Sequence, residues 1–314
     1  MRESTSARGP LPRATGIVDS LSAGFGVVNE QPWIVLFPVL LDLFFLFGPR
    51  VSIAPVVSQI VMMPQFSQAL GPDATAQTIS LAEEANLLGL LSPGGMTLPT
   101  IVPLLGVARG SLTIVDSAGS VVILAVAAML VGAFAGSVYR AILAQQTREG
   151  ELSAQRIPGE SVVAWYRVIV LAVLLIVAAF LVILPLAFIA ALASLVTAAA
   201  TAMMTAIVVT LALGAQLYLF FAPDAIFVSR VGPIQAIRRS AAVVRAGVWS
   251  ALTLAILITV IMIGMSQIWV MLANQASWGL ALGIVGNAYI ASGLAAASML
   301  FYRERMEILL AQRS

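Results

Sequence analysis

Asp42 is the one acid in PWIVLFPVLLDLFFLFG, residues 32–48, an otherwise apolar run. A carboxylate in a membrane helix costs about 3 kcal/mol on insertion scales and is kept where it faces a partner or a wet cavity. Two chemistries fit it. As a proton or cation site it would serve a secondary transporter. As a structural acceptor near the external end it would pair with Arg50 or cap a neighbouring helix, the commoner use of a lone acid close to a helix end. Gln216, Gln267 and Asn287 interrupt other apolar runs. Their ordinary use is an interhelical hydrogen bond of about 0.6–2 kcal/mol. Asp42, Gln216 and Asn287 are therefore the candidate intramembrane polar site.

Other chemistry is excluded by residue type. The 314 residues include no Cys and no His. That removes disulfides, thiolate nucleophiles and Cys-ligated metals. It also removes the commonest general base, Ser-His-Asp hydrolysis and HExxH metalloproteases. The Gly-rich GIVGNAYIASG, with Gly283, Gly286 and Gly293, has no strand before it and no βαβ context, so close helix packing explains it better than nucleotide binding. No catalytic, cofactor-binding or metal-binding residue is expected, and the chain reads as a non-enzyme.

These residues sit on elements that composition places in a membrane. The chain is 61% hydrophobic and 10% charged, with a mean hydropathy of +1.03. A soluble domain carries about a quarter charged residues. The apolar runs are continuous and long enough for spans of about 20 residues, not the alternating segments of about ten of a barrel. An all-α polytopic membrane protein follows, with six transmembrane helices and amphipathic interfacial helices. The spans are predicted near 32–48, 118–143, 162–191, 197–221, 248–273 and 280–301.

Residues 1–14 read as a disordered polar tail, with no apolar core of a cleaved signal peptide. Within 1–31, Ile17, Leu21, Phe25 and Val28 recur at helical spacing and predict a short helix lying on the cytoplasmic interface. Trp33 fits an interfacial anchor. Residues 51–117 are predicted to be an external insertion of amphipathic helices, with weakly helical pieces at 52–70 and 76–91. Pro93, Pro99 and Pro103 argue against a spanning helix there, and the stretch 81–107 either lies on the surface or re-enters the membrane. In the second span, Gly132 and Gly136 form a small-xxx-small pair suited to packing on another helix. The third and fourth spans form a hairpin turning at 193–196. A cytoplasmic tail occupies 306–314.

Arginine fixes the orientation. All sixteen basic residues are Arg, and on this plan only Arg50 and Arg109 fall outside. The positive-inside rule places both termini in the cytoplasm. The net charge of +2 and the scatter of arginines over several loops give no footprint for nucleic acid. The expected location is the cell (plasma) membrane, a bacterial inner membrane.

Between the fourth and fifth spans lies FFAPDAIFVSRVGPIQAIRRSAAVVRAGVW, residues 220–249. Pro233 is suited to the first position of a helix. Ile234, Ile237, Val244 and Val248 form an apolar stripe, with Arg238, Arg239 and Arg245 off it. Arg230, Arg238, Arg239 and Arg245 are thus candidate contacts for anionic lipid headgroups, at about 1 kcal/mol each near the surface. A purely topogenic elbow is the simpler role.

The segment also resembles a signature of uncharacterised bacterial six-helix integral membrane proteins, similar to the membrane domain of glycerophosphoryl diester phosphodiesterases. The residues that carry the likeness are Phe221, Pro223 and Asp224, then Gly232, Ala236, Ile237, Arg238, Arg239 and Ser240, then Arg245, Gly247 and Trp249. The long 51–117 insertion departs from that pattern. The resemblance implies a fold and no activity, because phosphodiesterase chemistry uses histidines and metal-binding acids in a separate domain that this sequence lacks. The expected function is a non-enzymatic scaffold, lipid-interacting or accessory membrane component. Its partners would be membrane lipids and a membrane protein or a second copy of the chain. The alternative is a secondary transporter using Asp42 and the polar residues of the bundle.

Overall fold

The computed structural model describes residues 16–92, 98–107, 109–149, 152–194, 197–275 and 277–312. The tail with Arg2, Arg8 and Arg13, residues 195–196 of the hairpin turn, and Arg313 lie outside the described residues. Nearly everything described is helical. In order come α1 (Ile17–Glu30), a 3₁₀ turn (Pro32–Val35), α2 (Leu36–Phe47), β1 (Arg50–Ser52), α3 (Ala54–Val61) and α4 (Pro64–Glu84). A second 3₁₀ turn (Leu87–Leu91), α5 (Val102–Leu105) and β2 (Leu112–Ile114) complete the insertion. The long helices follow: α6 (Ala118–Glu149), α7 (Ile157–Ser194), α8 (Ala198–Leu219), α9 (Ala222–Ser229), α10 (Pro233–Ala246), α11 (Val248–Gln275) and α12 (Ser277–Ala311).

Among the described residues, five stretches are long and apolar enough to cross a membrane: Ala118–Arg148, Ile157–Leu192, Ala199–Ser229, Val248–Gln275 and Trp278–Ala311. A sixth crossing exists only if α1 and the segment Pro32–Phe47, which meet at a 92° bend, are taken together. The chain is an all-α, multi-pass membrane protein. α7 and α12 overrun their predicted spans at both ends and α6 and α11 at the C-terminal end, because backbone hydrogen bonding continues past the apolar stretch, while α8 stays within its predicted span; α12 runs unbroken through most of the supposed C-terminal tail.

The first span differs from the single helix expected over 32–48. α2 alone rises about 18 Å, short of the roughly 30 Å hydrocarbon core. α1 supplies the missing length only if the bent pair forms one span, and it is docked on the bundle. It runs antiparallel to α12, burying Ser20, Gly24 and Val28. A Cβ on Gly24 would stand 2.5 Å from the Ala297 nitrogen and from the Gly293 oxygen. One helical turn and more further on, Tyr289 donates to Asn29 Oδ1 at 2.9 Å. Small residues let the two backbones touch. Ile17, Leu21 and Phe25 are only half-buried beside that seam.

The insertion contains a parallel β1–β2 pair, Arg50↔Leu112 to Ser52↔Ile114, where no strand was expected. It clasps the two ends of the insertion together. α3 and α4 sit beyond it, and α4 breaks at Gly71 (φ 77°), just before Pro72. Residues 85–92 and 98–106 take another path and descend beside α6. The Leu91 carbonyl fits where a Cβ of Gly132 would be. Gly132 lies about 20 Å along α6 from Ala118. Its close partner is this 3₁₀ turn, not a spanning helix. Pro99 goes deeper, to Tyr139 and Arg140. Residues 93–97 are outside the described residues. The strand then returns through α5 to the clasp, where the Arg109 N–H meets the Leu46 carbonyl at 2.7 Å.

Candidate functional site

Non-helical backbone inside a bundle must find partners for its N–H and C=O groups. The descending segment finds them in side chains. Asp42 Oδ1 accepts from both the Ile101 and the Val102 N–H at 2.9 Å, and Oδ2 accepts from Ile101 at 3.2 Å. Asn86 Oδ1 accepts from the Val51 N–H at 3.0 Å and the Leu88 N–H at 3.1 Å. Ser92 donates to the Leu98 carbonyl. Asp42 is fully buried and caps the first turn of α5. Of the uses weighed for it, the geometry corresponds to the helix cap. Arg50 points elsewhere, donating to the carbonyls of Glu83 and Glu84.

Gln216 and Asn287 do not join Asp42. Gln216 is exposed on α8 and lines a groove towards α11. Asn287 is buried in α12, 5% exposed. The three candidates are separate features.

A polar centre does form, from other residues. Arg140 of α6 and Asp224 of α9 approach to 3.6 Å. Ser298 of α12 donates to the free Asp224 oxygen at 2.5 Å. One residue earlier, Tyr139 donates to Ser292 at 2.7 Å, and Ser292 donates to the Ala288 carbonyl at 2.6 Å. A cavity of about 200 Å³ reaches this group and is bounded by Pro99, Phe220, Arg140, Asp224 and Ser298 among others. Four elements and the descending segment meet there.

Sequence reading missed this pair because each half had its own explanation. Arg140 lies near the end of an apolar run, where an arginine ordinarily snorkels to the interface. Asp224 entered only as a motif position. The usable signal was the rule that a charge in an apolar run seeks an opposite charge. The motif does explain local structure. Ser240 of α10 accepts from the Phe221 N–H at 3.1 Å and donates to the Tyr218 carbonyl at 2.7 Å. It thereby stitches the break between α8 and α9 that sets Asp224 facing inward.

The arginine-rich end carries a second network. Glu160 receives Arg148 at 2.9 Å and also pairs with Arg230. Arg148 donates to the Phe227 carbonyl at 2.8 Å, and Arg167 donates to the Arg230 carbonyl at 2.7 Å. Arg230 holds a left-handed conformation, φ 52°, uncommon for a residue with a Cβ. Its carbonyl and its guanidinium are both tied into the protein. Of the four candidate headgroup contacts, Arg239 is half-buried, while Arg238 and Arg245 are exposed and Arg245 lies over the Tyr218 ring at 6.0 Å.

The buried face of α10 also differs from the predicted stripe. Ala236, Ser240, Val243 and Val244 pack inward, while Ile234 is 58% and Val248 40% exposed. The smaller residues win because α10 lies close against α8, α9 and α12. Among the described residues, no group of three His, Cys, Asp or Glu side chains is placed to hold a metal ion.

No protein-family model, curated protein or solved structure matches the chain.

Proposed function

We propose that this chain is a non-enzymatic integral protein of the cell membrane whose cytoplasmic face engages anionic lipid headgroups through α10. The observation that carries the reading is the division of that helix. Its inner face is packed, and its outer face presents Arg238 and Arg245 beside the exposed Ile234 and Trp249. Cations flanked by apolar and aromatic side chains fit the boundary between headgroups and acyl chains. The arginine distribution supports the orientation. Arg148, Arg167, Arg230, Arg303 and α10 share one end, while Arg50 and Arg109 sit with the β1–β2 clasp at the other. Both termini are then cytoplasmic.

The test is the lipid retained by protein purified from membranes of known composition. Each arginine near an anionic surface contributes about 1 kcal/mol, so Arg238→Gln with Arg245→Gln should lower the enrichment of anionic lipid roughly thirtyfold. An unchanged enrichment would overturn the reading.

The transporter alternative loses support at Asp42, whose oxygens serve the α5 backbone. Its remaining support is the Arg140–Asp224 cavity. Proton flux in proteoliposomes decides it. Equal flux in wild type, Asp42→Asn and Asp224→Asn would retire transport by these residues.

A further inference from the structure

A second void lies beside the polar cavity. A groove of about 350 Å³ runs between α8 and α11, lined by Leu213, Leu217, Leu252, Ile256 and Val260, with Gln216 and Thr259 as its polar members. Phe220 lines both voids. On α11, Ile258 and Met262 border the cavity, while Ala255 and Thr259 border the groove, so the two share a wall one helical turn wide. The groove opens on the lipid-facing side, since Leu213, Ile256 and Val260 are exposed. The cavity ends at charge. The two volumes together fall within the roughly 300–1,000 Å³ of small-molecule sites.

We propose that the cavity and groove form one binding site for a single zwitterionic phospholipid. One acyl chain lies in the α8–α11 groove, and the headgroup sits past Phe220 against Arg140 and Asp224. Shape alone would admit any amphiphile; the charges choose. The cavity presents one guanidinium and one carboxylate 3.6 Å apart, with side-chain exposures of 23% and 5%. The pair is neutral, so a headgroup of net negative charge would bring an uncompensated charge against a balanced, partly buried ion pair, which is costly. A headgroup with its own phosphate and ammonium keeps the balance. The phosphate meets Arg140 and the ammonium meets Asp224, whose second oxygen is already held by Ser298. Both voids lie towards the arginine-rich ends of α6, α8 and α11. This site is separate from the outer face of α10, and its success or failure does not depend on Arg238 or Arg245.

The experiment is native mass spectrometry of the full chain. It is purified from vesicles of phosphatidylethanolamine and phosphatidylglycerol in equal amounts, then stripped with mild detergent. Wild type is expected to keep one phosphatidylethanolamine per chain. Thr259→Trp fills the groove at an exposed position and should reduce that occupancy at least tenfold, while Val182→Trp on the exposed side of α7 leaves it unchanged. Asp224→Asn leaves Arg140 uncompensated and should invert the preference towards phosphatidylglycerol. Size-exclusion profiles of each variant confirm folding. Should Asp224→Asn fail to fold, Arg140→Gln provides the reciprocal arm, in which the preference for phosphatidylethanolamine over phosphatidylglycerol increases. The proposal is overturned by no retained lipid in the wild type, which would mean a cavity holding only water. Retention insensitive to Thr259→Trp, or a wild-type preference for phosphatidylglycerol, overturns it as well.

Discussion

α12 and the α7–α8 hairpin are both membrane-crossing helices, yet they are opposites. In its most apolar stretch α12 is 61% buried within the protein; the spans of α7 and α8 are 6% buried. Hydropathy runs the other way, for α7 is the most apolar of the five and α12 the least. Lipid tails are as apolar as leucine, so the large aliphatic residues gain nothing by facing inward. What draws helices together is close backbone approach and polar partnership. α12 supplies both, through Gly286 against the Trp269 ring, Gly293 against the Phe25 ring, and Ser292 and Ser298 in hydrogen bonds. The hairpin has Phe, Leu, Ile and Val facing outward, as with Leu181 at 71% and Phe188 at 67% exposure.

The sharpest attack on this contrast is at the α1–α12 seam. Gly24→Leu would drive a side chain into the backbone of Ala297 and Gly293. No rotamer relieves a backbone contact, so the cost should exceed the ~3 kcal/mol typical of overpacking. The expected result is loss of monodisperse protein in detergent. The matched change Ala206→Leu on α8 should move stability by no more than about 0.5 kcal/mol. A silent Gly24→Leu would mean that α1 is not docked on α12.

Next in size is Phe301→Ala. Phe301 is 1% exposed and stacks on Phe221 with ring centroids 5.5 Å apart. A buried Phe truncated to Ala costs about 3–5 kcal/mol. A thermal-unfolding shift well below that range would indicate that the core around α9 collapses to fill the gap.

How much of this was legible in the sequence follows from the same physics. The membrane class and the long spans were readable because apolar length is a local property. Pro233 marked the start of α10 for the same reason. The tertiary sites were not. The Arg140–Asp224 pair joins residues far apart in the chain, each reasonable alone. The descent of residues 85–92 and 98–106 depends on Gly132 and Asp42 together, and neither announces the other. The clasp of β1 on β2 is three residues long, too short for alternation to stand out. Of the predicted α10 stripe, Val244 and Ile237 do pack against the core, but the face also rests on Ala236 and Ser240, which a search for large apolar residues ignores.

Asp42 tests that account at a middle magnitude. Asp42→Ala strands the Ile101 and Val102 N–H groups in a buried site, and each unpaired donor costs about 1–3 kcal/mol. Asp42→Asn keeps an oxygen where Oδ1 now accepts both bonds, so it should cost less. Thermal unfolding of the two variants checks the order. A carboxylate needed for its charge would make the two substitutions equally damaging.

The smallest expected effect is on the hairpin, and it bears on partners. Leu181→Ala with Phe188→Ala removes large side chains that touch little of the protein. If lipid alone covers this surface, unfolding in detergent should stay within about 0.5 kcal/mol of wild type. If a second copy of the chain or another membrane protein packs there, the same pair opens cavities in an interface. Stability should then fall by about 2 kcal/mol or more, with a loss of oligomer mass in light scattering. A large effect would transfer the hairpin from the lipid-facing class to the packed one. The contrast with α12 would then describe one chain and not the assembled protein. A null effect leaves α7 and α8 as helices positioned by their bases, where Glu160, Arg148 and Arg230 anchor α7 to α6 and α9.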